Sequence, residues 1–230
     1  MIIAERKPFE EIKELLADYK KVLVAGCGTC VAVCLAGGEK EAGLLANQLD
    51  LAYQVAGDKR QFDTACVQRQ CDMEFLEELD EVMGDYEAVI STACGAGIQF
   101  MADRWPEKVI LPGVNTTFVG VNLDVGLWEE KCRLCGDCLL GITGGVCPQT
   151  KCAKQLFNGP CGGTRPGGMC EIQEDQPCAW HLIYERLSAQ GRLHLIEKMH
   201  PPRDNRAALF PAKQVHPAYE RRYTSQSEGG

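Results

Sequence analysis

The chain has 230 residues, 45% hydrophobic and 24% charged, with a formal net charge of −8. That length allows one or two domains with a buried core, and an acidic pI near 5.1 argues against a nucleic-acid or anionic-membrane surface. No apolar run reaches the ~20 residues of a membrane span, and "MIIAERKPFEE" turns charged too early for a signal peptide, so no membrane span and a cytoplasmic location are expected.

In chain order, "PFEEIKELLADYKK" predicts an amphipathic helix with Phe9, Ile12, Leu15, Leu16 and Tyr19 on one stripe and Pro8 in its first turn. "KVLVAG" reads as a short buried strand, "GEKEAGLLANQLDLA" as a helix and "AYQVAG" as the next strand. "CDMEFLEELDEVMGD" is helical, with Phe75, Leu76, Leu79, Val82 and Met83 inward and an end near Gly84. "EAVISTACGAG", "KVILPG" and "TTFVGVN" supply further strands. Strands alternating with helices predict an α/β fold with a doubly wound parallel sheet over residues 1–125.

From Cys132 the pattern changes. Eight cysteines with many glycines and prolines fill Cys132 to Cys178 with hardly any apolar period, so this part must fold around ligated centres. "CAWHLIYERLSAQGRL" is helical again, with Trp180, Ile183, Tyr184 and Leu187 spaced for one face. Residues 126–190 are thus expected to form a small cysteine-rich metal-binding domain with few regular elements, ending in a helix. Residues 191–230, with Pro201, Pro202, Pro211 and Pro217, are expected to be an extended or partner-docking tail.

The chain holds 14 cysteines, too densely spaced for a secreted disulfide framework and read here as metal ligands. On the expected strand map, Cys27, Cys30 and Cys34 follow the first strand, Cys66 and Cys71 the second, and Cys94 ends the third. Ligands of doubly wound sheets gather outside these carboxyl ends. Four of these six thiols suffice for one 4Fe-4S centre, and the positive end of the helix after the first strand would favour thiolate there. Cys66 is the first candidate for a spare, then Cys27. The rival, a dinucleotide fingerprint in "GCGTCV", lacks its third glycine. Farther on, Cys132, Cys135 and Cys138 have ferredoxin-like spacing, completed late by Cys147 next to Pro148; Cys152, Cys161, Cys170 and Cys178 follow at wider intervals. Eight thiolates make two four-ligand sites, whose pairing the spacing leaves open, and such sites suit zinc as well as iron-sulfur. The histidines are isolated, "EELDE" is a solvated face, and no nucleophile triad, phosphate loop or paired-carboxylate site emerges, so no catalytic residue is assigned.

"CGTCVAVCLAGGEKEAG", "RQCDMEFLEEL", "STACGAGIQ", "CGDCLLGITGGVCP", "NGPCGG" and "CEIQEDQPCAWHLIYERL" together resemble the MetV-type small subunit of methylenetetrahydrofolate reductases, also called the methylenetetrahydrofolate reductase C-terminal domain family. The resemblance runs to about Leu187. It implies an iron-sulfur protein with two or three 4Fe-4S clusters, and zinc at one C-terminal site in some descriptions. It also implies a MetF-type flavoprotein partner that holds FMN or FAD, on the methyl branch of the Wood-Ljungdahl pathway. Carried over by motif, the ligands are Cys30, Cys34, Cys71 and Cys94 and the eight from Cys132 to Cys178; Cys27 lies within a motif and stays open, whereas Cys66 lies outside them. The function expected is electron transfer, from ferredoxin or a larger complex to the partner's flavin. The alternative is a zinc-stabilised assembly subunit without an electron-transfer role, and a third reading is a freestanding nucleotide-dependent oxidoreductase. No activity is expected of the chain alone.

Overall fold

The structure is a computed structural model that describes residues 1–202 and 213–224. It divides into two compact units, Met1–Lys131 and Cys132–Gly230.

The first unit is built on a parallel sheet of β2 (Lys21–Cys27), β3 (Gln61–Val67), β4 (Ala88–Ser91) and β5 (Val109–Pro112), in the order β3-β2-β4-β5. Every residue of β2 after Lys21 is buried, as its uninterrupted apolar run requires of a central strand. Alternate side chains of this strand face opposite helical layers. Val22 and Val24 pack with Ile12 and Leu16, at α1 (Phe9–Leu15) and just past its end, and with Leu45 and Leu49 of α3 (Glu39–Val55). Leu23 and Ala25 pack with Leu76 of α4 (Met73–Leu76), Leu79 of the following 3-10 turn, Met83 of α5 (Asp80–Met83) and Met101 of α6 (Gly95–Arg104). Helices thus cover both faces. A second, antiparallel sheet of β1 (Ile2–Arg6), β6 (Val114–Asp124) and β7 (Leu127–Cys132), in the order β1-β6-β7, lies outside the expected pattern.

Two local expectations need correction. "AYQVAG" is not a strand: α3 runs on through Val55 because Ala42, Leu45, Ala46, Leu49 and Tyr53 continue one buried helical stripe, and the chain turns at Gly57 with φ 74°. The second parallel strand is "QFDTACV" instead, at the sheet's edge, where its mixed polar pattern is tolerated. Cys66 therefore lies inside β3 rather than after it.

Arg60 fastens α1 to the start of β3. Its guanidinium donates to the carbonyls of Leu16 (2.6 Å), Ala17 (2.9 Å) and Tyr19 (2.9 Å), pairs with Asp58, and lies over the Tyr53 ring. These are the orphan carbonyls of a helix end, and the arginine side chain is only 9% exposed. Arg60→Ala is expected to destabilise the first unit by about 3 kcal/mol, from charge-assisted bonds lost at a nearly buried site. Urea unfolding checks this; an unchanged midpoint contradicts it.

The second unit has few regular elements: α7 (Pro148–Lys151), a 3-10 turn at Pro166–Gly168 and α8 (Ala179–Ala189). It is not wholly without an apolar core, because Trp180, Ile183 and Leu187 of α8 bury with Val146, while Tyr184 points out at 52% exposure. The expected tail at 191–230 lies partly outside the described residues, at 203–212 and 225–230. Within the described part are 3-10 turns at Leu193–Ile196 and Pro217–Tyr219 and a short helix α9 (Glu220–Thr224).

Candidate metal centres

At the carboxyl edge of the parallel sheet, the chain leaves β2 and β3 on one side and β4 on the other, so the strand order reverses beside β2. Cys27 is the last residue of β2, and its N–H donates to the Gly37 carbonyl at 2.9 Å, folding the whole Gly28–Gly37 turn back over the strand end. Gly37 has to be glycine, because a Cβ there would lie 1.9 Å from the Thr92 carbonyl oxygen. Within the turn, Cys30 opens α2 (Cys30–Val33) and Cys34 closes it. The expected helix dipole is small here, since α2 is a single turn; the 10-residue α6, whose N-cap is Cys94, offers the longer one. Cys34 is 4% exposed, its Sγ accepts from the Ala4 N–H at 3.4 Å, and burial pushes its thiol up.

Cys71 is exposed, one residue before the N-cap of α4. Partial burial of its sulfur, then the charges of Cys27 and Cys94, hold its thiol above the ordinary range. Cys66 lies within β3 rather than on a loop. A Cβ on Gly26 would lie 2.9 Å from its Sγ and 3.3 Å from the Ala42 Cβ of α3, so this thiol occupies the seam between sheet and helix. Burial pushes it up to about 11. Cys27 and Cys34 are buried in one apolar cluster, against which Cys94 and Trp128 also pack. The Trp128 indole N–H is the one buried side-chain nitrogen among the described residues that lacks a hydrogen-bond partner. A buried donor of this kind suits a neighbouring anionic sulfur.

In the second unit, Cys132 ends β7 and its Sγ accepts from the Leu134 N–H at 3.4 Å. Leu134 (φ 53°) and Gly136 (φ 77°) wind the C-x-x-C turn through left-handed backbone. Cys138 is exposed, Cys135 and Cys147 are half-buried, and Cys147 is the N-cap of α7.

Cys152, Cys161, Cys170 and Cys178 line a single small concavity that opens to solvent, together with Lys154, Thr164, Glu171 and Trp180. Three chain features bring them there. Gly168, with φ 78°, lies so close to the His181 ring that a Cβ would meet it at 2.2 Å. Met169 bridges antiparallel to both Arg165 and Pro177, and the Cys178 N–H donates to the Gly168 carbonyl at 2.8 Å. Donors already point at two of the sulfurs: the Gly163 N–H to Cys161 at 3.4 Å, and the Thr164 hydroxyl to Cys178 at 3.3 Å. Burial opposes ionisation of Cys178, yet Thr164 and the backbone N–H groups of His181 and Trp180 in the first turn of α8 outweigh it, and the thiol falls below its ordinary value. Glu171 accepts from Cys161 at 3.2 Å and pairs with Lys154.

Among the described residues, no three His, Cys, Asp or Glu side chains are gathered closely enough to hold a single metal ion. The donors suit soft metals in kind: four thiols line one concavity in the second unit, and in the first an orphan indole N–H lies against the cluster that holds Cys27, Cys34 and Cys94. Sequence reading singles out the cysteines but passes over two residues beside them. Trp128 carries no motif, and Gln70 lies within "RQCDMEFLEEL" without a role assigned to it.

Residues 111–206 match a family model described as methylene-tetrahydrofolate reductase C terminal. That stretch contains all eight cysteines from Cys132 to Cys178 and none of the six before them. Neither the curated proteins nor the solved structures give a match to the chain. No helix among the described residues is long and apolar enough to cross a membrane.

Proposed function

We propose that this chain is the iron-sulfur electron-transfer subunit of a methylenetetrahydrofolate reductase, passing electrons from ferredoxin or a larger donor complex to the flavin of a MetF-type catalytic subunit in one-carbon metabolism. The observation that carries this reading is that Cys152, Cys161, Cys170 and Cys178 line one concavity, inside the stretch that matches the reductase family model. Cys132, Cys135, Cys138 and Cys147 are the ligand set for a further centre in the same stretch, and Cys27, Cys71 and Cys94, with Cys30 or Cys34, for one in the first unit.

When bound, a 4Fe-4S centre supplies one-electron storage at a potential that its surroundings set. The chain's part is to hold the thiolates, direct N–H and hydroxyl donors at their sulfurs, and limit water. Gly163 and Thr164 do this in the second unit; buried Cys27 and Cys34 pack the first. The reducible organic chemistry belongs to the flavoprotein.

A four-thiolate set also suits zinc, so the Cys152–Cys178 concavity is the place for the zinc that the alternative, an assembly subunit, requires. Stopped-flow mixing separates the two. Chain reduced with a viologen and freed of excess reductant is mixed with the oxidised flavoprotein, and flavin absorbance is followed. The expected result is flavin reduction only when the reduced chain is present, with no methylenetetrahydrofolate reduction by the chain alone. A chain that takes up no electrons, yet is needed for assembly of the complex, establishes the scaffold reading instead.

A further inference from the structure

Gln70 is wholly buried at the point where the parallel strands end. Its side-chain amide nitrogen donates to the carbonyls of Ala25 (3.0 Å) and Gly26 (2.9 Å) at the end of β2. Its amide oxygen accepts from the Ser91 hydroxyl at 2.6 Å, at the end of β4. The same Ser91 oxygen accepts in turn from the Ala93 N–H at 3.2 Å. All four bonds satisfy groups that water cannot reach. An amide at this position has donors and an acceptor on the sides that need them, which neither a carboxylate nor an apolar side chain provides.

The placement of these bonds along the chain is the telling feature. Gly26 immediately precedes Cys27, Gln70 immediately precedes Cys71, and Ala93 immediately precedes Cys94. Gln70, bonded directly to Gly26 and through Ser91 to Ala93, therefore links the residues that precede three thiols, at the end of β2, before α4 and after β4. Helix α6 packs closely over this point: a Cβ on Gly97 would lie 3.0 Å from the Gln70 Cβ and 2.9 Å from the Ala93 Cβ.

We infer that Gln70 is a positioning residue that sets the mutual spacing of Cys27, Cys71 and Cys94, with Ser91 as its relay to the Cys94 loop. The inference rests on the reading of those thiols as ligands of an iron-sulfur centre. Gln70 touches no metal itself; it acts as outer-shell partners do, by fixing where ligands stand.

The test uses the full chain, purified anaerobically, as wild type, Gln70→Leu, Gln70→Glu and Ser91→Ala. A Cys27→Ser/Cys71→Ser/Cys94→Ser variant identifies, by subtraction, the iron and the electron paramagnetic resonance signal of the N-terminal centre. Expected for the Gln70 and Ser91 variants is an altered N-terminal signal and about 10-fold faster loss of that iron to a chelator, with signals from the second unit unchanged. Ser91→Ala removes one hydroxyl and no carbon, so it keeps the test decisive if the Gln70 variants do not fold. Unchanged g-values and chelation rate in the folded variants overturn the inference while leaving the centre itself intact. Loss of far-ultraviolet dichroism in all three assigns Gln70 a purely structural role and also overturns it. If the triple cysteine variant keeps all the iron of the wild type, the underlying reading of the N-terminal thiols fails, and the inference with it.

Discussion

Anaerobically purified protein carrying Cys170→Ser is expected to lose protease protection across residues 152–178 while the first unit melts as in the wild type. Thiolate ligation of a structural metal contributes on the order of 10 kcal/mol to folding. The loops between Cys152 and Cys178 have little to set against its loss, since the apolar cluster of the second unit has only Val146, Trp180, Ile183 and Leu187 as buried members. Three of these four belong to α8, which lies after the loops. The first unit has independent clusters on both faces of its sheet and does not depend on that ligation. Limited proteolysis followed by mass spectrometry checks the expectation. A variant that has lost its metal but keeps wild-type protection over those loops contradicts it.

The second large effect concerns the first unit. Cys71→Ser is expected to eliminate the N-terminal centre and, with it, most of the electron transfer to the flavoprotein, with the sheet intact. Cys66→Ala is expected to leave iron content and transfer unchanged. The contrast follows from placement: Cys71 sits on the loop between β3 and α4, whereas Cys66 lies within β3 in the seam toward Ala42 of α3. Removing the Cys66 sulfur deletes no ligand. Iron analysis and stopped-flow transfer on both variants decide the matter. Equal iron loss in the two variants contradicts the assignment.

How much of this is legible in the sequence depends on the kind of signal. β2 declares itself, because "VLVAG" is an unbroken apolar run that only a strand covered on both faces requires. The limit between α3 and β3 does not. "AYQV" has strand-like composition, but Tyr53 belongs to the helix stripe and stacks on Phe62 of the true strand at 5.7 Å between ring centroids. β1 is hidden for another reason: Ile3 pairs with Phe118, and a partnership over that separation leaves no mark in either local pattern. α6 also goes unread, sheltered behind the glycines of "CGAG" at its start.

The cysteines follow the same division. Their number and spacing mark them as a class of ligand, which is local information. Which of them meet is tertiary information. Cys152, Cys161, Cys170 and Cys178 line one concavity because Gly168 and Met169 fold the intervening loops, and Cys66 falls inside a strand whose boundary the sequence misplaces. Gln70 lies inside the stretch "RQCDMEFLEEL", yet its part is hidden for the deepest reason: it makes three hydrogen bonds to distant backbone and hydroxyl groups, which no local pattern records.

The most direct test of the electron-transfer reading is the absorption spectrum of the anaerobically purified chain, before and after reduction, with iron, acid-labile sulfide and zinc measured on the same sample. The expected result is a brown protein with broad absorbance near ~400 nm that bleaches on reduction, with iron and sulfide in near-equal amounts, as cubane clusters require. A colourless protein that holds zinc, no sulfide and no reducible absorbance contradicts the electron-transfer function.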